Sequence, residues 1–230
     1  KKFMQTMLVA DALAELQRAD LTTSLREIYY RTKHTIKDSQ ENTFDTQVES
    51  DPIIEDLEVS LAELREELHV RAENGGSIVG PLVLADDGDR VDCSRLGKGG
   101  YSVPSIVEPE YLDIQKCTAD FLLLVEKGTQ WNRLSEDKFW KKYNCVLLTG
   151  NGQPPRGVRR LARRLHEEKK LPVYVLVDND PWGYYIYSVV KQGSINLAFE
   201  SERMAIPKAK FIGLSSAAPE RYQLPRNVGI

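Results

Sequence analysis

The sequence predicts an α/β protein in two parts: a helical first part ending in a β-hairpin, and a second part built on a mostly parallel sheet. Three observations predict it. Apolar residues recur at helical spacing between Lys2 and Leu68; two strand-like runs flank Asp86-Asp-Gly-Asp89; and from Thr118 onward short apolar runs alternate with helical patterns.

The 230 residues suffice for one large or two ordinary domains, and 41% hydrophobic with 28% charged content is that of a globular protein. No apolar run approaches the roughly 18 residues of a membrane span. No signal-peptide stretch follows Lys1. The expectation is a cytoplasmic protein without membrane attachment, and the absence of a leading Met reads as a piece of a longer chain. Cys93, Cys117 and Cys145 are odd in number and form no C-x-x-C pair, which predicts reduced thiols and no zinc site. The net charge is −3, but acids cluster over 41–67 and basic residues over 156–170, so the total conceals local fields.

Phe3, Met4, Met7, Leu8, Ala10, Leu13 and Leu16 predict a helix over 2–18. Thr22, Thr23 and Ser24 then offer N-caps to a second helix over 25–35, and the short break between the two is consistent with a helix-turn-helix. This helix carries Leu25-Arg-Glu-Ile-Tyr-Tyr30. Arg26 and Tyr30 are four apart and share a face; Tyr29 lies about 100° away, so one core cannot take both rings. A phenol beside a guanidinium can attack a phosphodiester, whereas the plainer reading has one ring packed and the other half exposed. Residues 37–50 read as loop. Asp51-Pro52 opens a third helix through Ile54, Leu57, Leu61, Leu64 and Leu68, with Glu55, Asp56, Glu63, Glu66 and Glu67 outside. Residues 77–85 and 90–93 form the hairpin arms, and three helices followed by a hairpin outline a winged helix.

In the second part Phe121–Val125, Cys145–Leu148, Val173–Val177 and Lys210–Leu214 read as strands. Helical patterns cover 131–143, 157–169 and 184–191. Glu126, Asp178 and Asp180 then lie at carboxyl ends of parallel strands, where open α/β sheets bind ligands. Carboxylates gathered at one edge repel unless a proton or cation neutralises them, and a hard cation such as Mg²⁺ suits oxygen ligands. Capping of the following helix by Asp180 is the plainer alternative. Arg156, Arg159, Arg160, Arg163 and Arg164 recur at helical intervals, a stripe able to grip phosphates or to form a solvated face.

Leu25-Arg-Glu-Ile-Tyr-Tyr30, Phe121–Glu126, Gly152-Gln-Pro-Pro155 with its arginines, and Val177-Asp-Asn-Asp-Pro-Trp-Gly183 occur in the order found in the A subunit of archaeal DNA topoisomerase VI. The chain resembles that family, to which the eukaryotic meiotic double-strand-break transesterase also belongs, over essentially its whole length. The resemblance implies a winged-helix (CAP-like) domain over 1–106 and a Toprim domain over 107–230. It implies Tyr30 as nucleophile, Arg26 as its charge-stabilising neighbour, Glu126, Asp178 and Asp180 as Mg²⁺ ligands, and the arginine stripe as a DNA contact. Asn179 departs from the glycine often found between the two acids.

The implied activity is ATP-dependent type IIB DNA cleavage and religation through a 5′-phosphotyrosyl link. The implied partners are double-stranded DNA, a homodimer of A subunits in which each tyrosine works with the other protomer's acids, and an ATPase B subunit completing an A2B2 heterotetramer at the nucleoid. In the family a leading segment contacts the B subunit, and the expectation is that this sequence begins after it. The competing readings are a Toprim nuclease or primase and a non-catalytic winged-helix DNA-binding protein.

Overall fold

The computed structural model describes residues 1–71, 75–214, 221 and 223, with Asn196 and Leu197 by backbone alone. The chain divides into two compact units, Lys1–Glu73 and Asn74–Ile230.

In the first unit, helix α1 spans Lys2–Ala19 and ends on Asp20 in the left-handed conformation. Of its predicted apolar face Leu13 and Leu16 are buried, but Phe3 and Met7 are exposed, and Gln5, Val9 and Ala12 turn inward in their place. The inward face is fixed at Gln5, whose amide donates to the carbonyl of Thr43 at 2.6 Å. After β1 (Thr23–Ser24), α2 runs from Leu25 to Thr32. The helix stops short of Thr35 because Thr43 Oγ1 donates to the carbonyl of Thr32 at 2.8 Å and Thr35 bridges to Asn42, drawing the chain into extended form.

Helix α3 covers Asp51–Leu61. The apolar pattern continues to Leu68, but Ala62 turns left-handed (φ 56°) and the chain bends back. Glu58, buried on α3, accepts from the backbone N–H of Arg65 at 2.8 Å and from its guanidinium at 3.2 Å, which holds that bend. Leu68 still reaches the core, and β2 (Val70–Arg71) pairs in parallel with β1.

In the second unit, β3 (Ser77–Val79) and β4 (Leu82–Asp86) replace the single first arm of the hairpin. The chain changes direction between them at Gly80-Pro81 (Gly80 φ 149°). β4 turns into β5 (Asp89–Asp92) through Asp87-Gly88, both with positive φ, the two-residue loop that suits strand twist. Strand β6 covers Tyr101–Ser102 and β7 covers Leu112–Cys117, and β5-β4-β7 make an antiparallel sheet.

Next come β8 (Phe121–Val125), α4 (Gly128–Glu136), α5 (Phe139–Lys142) and β9 (Cys145–Thr149). The helix expected over 131–143 is thus two, broken where Lys138 adopts φ 50°. They are followed by α6 (Arg156–Glu168), β10 (Val173–Leu176), α7 (Pro181–Gln192), a 3₁₀ turn at Ile195–Glu200, α8 (Ser201–Met204) and β11 (Lys210–Ile212).

The main sheet has the order β11-β10-β8-β9-β3-β6, with β11, β10, β8 and β9 parallel and β3 and β6 antiparallel at one end. Leu122, Leu124, Val146 and Leu148 face a core shared with α6, α7 and the three-stranded sheet. Leu123, Val125, Cys145 and Leu147 face the opposite way, toward Trp131 of α4. Both faces are covered, hence the continuous apolar strands. Leu82, Leu84, Leu112 and Ile114 share the first of these cores, so the hairpin packs as part of the second unit. The division by packing falls at Glu73/Asn74 where the sequence suggests 106/107. Burial pushes the thiols of Cys93 and Cys145 up to about 12, and among the described residues all three cysteines are free.

Replacing Arg65 with Met removes the charged partner of a buried carboxylate. We expect a loss of about 3 kcal/mol in chemical denaturation. A loss under about 1 kcal/mol would show that the Glu58–Arg65 pair does not hold the end of α3.

Candidate active site

The sequence-predicted residues form two groups, one in each unit. In the first, Ser24 caps α2 by accepting the N–H of Glu27 at 3.2 Å. The neighbouring tyrosines have opposite environments. Tyr29 is 8% exposed; its hydroxyl donates to the carbonyl of Asp45 at 3.1 Å and accepts from Lys33 Nζ at 2.7 Å. That hydrogen bond to Tyr29 is the main reason the Lys33 ammonium is held above its ordinary value. Tyr30 is 54% exposed, its ring 5.1 Å from that of Tyr29. Arg26 Nη2 lies 3.4 Å from the Tyr30 hydroxyl, and its guanidinium carbon 5.7 Å from the ring centre. The first ring is a packed anchor, while the second presents a hydroxyl to solvent beside a positive charge. A phenol so placed can ionise toward a phosphorus with the guanidinium offsetting charge on the attacking or phosphoryl oxygen.

In the second unit, β8 has β9 on one side and β10 on the other, so the chain leaves β8 first one way and then the other. Such a switch opens a crevice beyond the carboxyl ends of the strands. The register sets Val125 beside Leu176. Glu126 therefore emerges next to the end of β10, and its Oε2 accepts the backbone N–H of Asp178 at 3.0 Å. Two residues on, Asp180 caps α7, accepting the N–H of Gly183 at 2.6 Å, with Pro181 in the first turn. A Cβ on Gly183 would lie 2.2 Å from the carbonyl oxygen of Asp178, so only glycine lets the helix start this close to the strand end. Asp178 is paired with Lys127 and receives the Gln130 amide at 3.5 Å.

The structure thus brings Glu126 and Asp178 together and holds Asp180 in the same turn as a cap. Among the described residues no three His, Cys, Asp or Glu side chains converge closely enough to make a ready cation site. The donor set nevertheless suits a hard cation: it is carboxylate oxygen throughout, and the edge already draws an ammonium onto Asp178.

The arginine stripe is neither a solvated face nor an open phosphate grip. Arg156 pairs with Glu200. Arg160 makes a forked contact with Glu108 at 2.9 and 3.0 Å and reaches the carbonyl of Arg203 at 3.2 Å. Arg163 meets Glu167 at 2.6 Å and the carbonyl of Ala205. Arg164, 2% exposed, donates to the carbonyls of Val107 and Leu112, both at 2.5 Å, and to Glu168 at 2.6 Å. Arg159 is buried, with no partner for its Nε among the described residues; burial holds its guanidinium below its ordinary value. Glu108 is subject to opposed effects. Burial would raise its carboxyl, but the hydrogen bonds and charge of Arg160, with the charge of Arg203, outweigh it and hold it below the usual range.

Three family models follow one another along the chain. The first describes a type IIB DNA topoisomerase and matches residues 1–70. The second describes an all-β domain of the DNA topoisomerase VI alpha chain and matches 72–118. The third describes the Toprim domain shared by the topoisomerase 6 A subunit and Spo11, and matches 121–229. The chain belongs to the topoisomerase VI A-subunit family. Relatives that bear the name of the type 2 DNA topoisomerase 6 A subunit include those of Pyrococcus abyssi (47% identical, 97% of this chain and 58% of the relative), Aeropyrum pernix (44%, 93% and 56%) and Halobacterium salinarum (40%, 98% and 62%). The chain therefore spans 56% to 62% of the length of these relatives. The parallel sheet with Glu126 and Asp178 at its edge falls within the family's Toprim segment, and α2 with Tyr30 falls within its leading segment. Lys127, which pairs with Asp178, was not singled out by the sequence reading, although a lysine directly following the first acid was a visible signal.

The Glu108 contacts make a pH prediction. A carboxyl held low in the folded protein stabilises above its ordinary value of 4.5, and that contribution is lost as pH falls through the lowered one. We expect Glu108→Gln to lower stability at neutral pH by about 2 kcal/mol and to flatten the acid side of the stability profile, measured by denaturant titration across pH. Parent-like stability at neutral pH would rule out the contact as a stabilising one.

Proposed function

We propose that this chain carries the DNA cleavage and religation chemistry of an ATP-dependent type IIB topoisomerase. The observation that carries the reading is the contrast in α2: Tyr29 is anchored through its hydroxyl, while Tyr30 presents its own beside Arg26. The names and matched segments of the family support it. In the proposed reaction the Tyr30 phenol loses its proton and its oxygen bonds to a DNA phosphorus. The bond from phosphorus to the deoxyribose 3′ oxygen breaks, and that oxygen takes up a proton. A 5′-phosphotyrosyl link and a free 3′-hydroxyl result, and religation reverses both bond changes. Arg26 holds charge near the attacking oxygen.

Glu126, Asp178 and Asp180 would hold Mg²⁺, which when bound offsets phosphate charge and favours the 3′ oxygen as nucleophile for religation. Cutting both strands needs two tyrosines, hence a homodimer acting on double-stranded DNA. Strand passage adds an ATPase B subunit in an A2B2 assembly. The arginine stripe is left out of the proposed DNA contact, because its guanidinium groups are engaged or enclosed within the protein.

The decisive test is denaturing electrophoresis of end-labelled DNA incubated with Mg²⁺ and the complete A2B2 assembly. A covalent adduct is expected with the parent, and at least a hundredfold less (about 3 kcal/mol) with Tyr30→Phe. Tyr29→Phe should retain the adduct while losing about 1 kcal/mol of stability. Cleavage without an adduct would favour a Toprim nuclease, and binding without cleavage a DNA-binding protein.

A second test separates the two roles of Asp180. Asp180→Asn keeps an oxygen for the cap but removes the charge. Mg²⁺ should therefore raise its melting temperature less than it raises that of the parent, and equal rises would leave Asp180 a cap alone.

A further inference from the structure

The residue directly after Glu126 deepens the reading of the acid edge and rests on its Mg²⁺ assignment. Lys127 is the N-cap position of α4, with extended backbone (φ −83°, ψ 122°). Its start is fixed, because the next residue is Gly128, where a Cβ would come 2.3 Å from Asn151 Oδ1, so the first turn of α4 lies hard against the loop after β9. From there the ammonium reaches across to Oδ2 of Asp178, while Gln130 of the same helix touches Oδ1 at 3.5 Å.

The two partners differ in freedom. The Asp178 side chain is 23% exposed, and its own backbone N–H is tied to Glu126. The Lys127 side chain is 54% exposed on a stem that can swing into water. The carboxylate is the fixed partner and the ammonium the removable one.

We infer that the Lys127 ammonium is the resident counter-ion of the acid edge: it holds Asp178 in the metal-free protein and gives that carboxylate up when a divalent cation binds. Lys127 is thus a positioning residue acting through Asp178. An edge that gathers carboxylates must be neutralised for the fold to close, and a lysine does so at any metal concentration. Because a half-exposed ion pair is weak, a divalent ion can displace it. The cation then binds in competition with an internal charge, so Lys127 sets the Mg²⁺ concentration at which the site fills.

The test uses melting temperature across a Mg²⁺ titration, starting from chelator-treated protein at constant ionic strength, for the parent, Lys127→Met and Lys127→Arg. Removing the ammonium should lower the half-saturating Mg²⁺ concentration by about two- to fivefold, the scale of an exposed ion pair, and should lower the metal-free melting temperature. Lys127→Arg, which keeps the charge, should track the parent on both counts. Lys127→Gln repeats the comparison should methionine disturb the turn. An unchanged or higher half-saturation in the neutral variants overturns the inference and leaves the metal site standing. The absence of any saturable Mg²⁺ response in the parent overturns the metal site, and this inference with it.

Discussion

The placement of β10 against β8, and not beyond β9, is the constraint on which the acid edge depends. Parallel pairing in register sets the ends of these two strands side by side, so the Glu126 carboxylate accepts the backbone N–H of Asp178, 52 residues on. Had β10 added outside β9, a whole strand width would separate Glu126 from Asp178, and nothing in either local sequence could compensate. The placement is favoured by burial: β8 and β9 are covered on both faces, and the apolar sides of α6 and α7 close over the strands they connect. Packing free energy thereby opposes the electrostatic cost of gathering acids.

The arginines of α6 serve a related purpose. The connector around Val107–Leu112 carries backbone carbonyls into a buried region, where an unpaired acceptor is costly. A guanidinium offers several donors in one plane, and Arg164 uses them on two carbonyls and a carboxylate at once. Arg160 and Arg203 both reach Glu108 from different segments. A basic helix that looks made for an external polyanion is here an internal frame joining the connector to α8.

The four parallel strands β8 to β11, a hydroxyl cap before α2 and one packed, one half-exposed tyrosine were legible because each follows from short-range pattern: apolar runs, hydroxyls before a helix, a one-residue step around a helix. What was not legible depends on distant partners. The inward face of α1 is decided by Gln5 reaching Thr43, and the end of α3 by Arg65 meeting Glu58; neither leaves a trace in periodicity. β3 joins β9 and β7 joins β4 by long-range pairing, which short runs such as Ser77–Val79 do not announce. At the acid edge the residue types, their strand-end positions and the cap at Asp180 could be read, whereas the lysine paired with Asp178 could not.

The close contact at Gly183 has a mechanical consequence. With the helix backbone pressed on the carbonyl of Asp178, and with Ile186, Val189 and Val190 seated in the interior behind it, α7 and the end of β10 form a stiff joint without slack. Placement within about half an ångström is what separates a working constellation of ligands from a merely assembled one. At this edge the cap at Asp180 is referenced through the helix to the sheet and not to a surface loop. Trp182 and Tyr185, exposed on the same helix and packed edge to face at 5.6 Å, lie on the side of this joint that faces solvent.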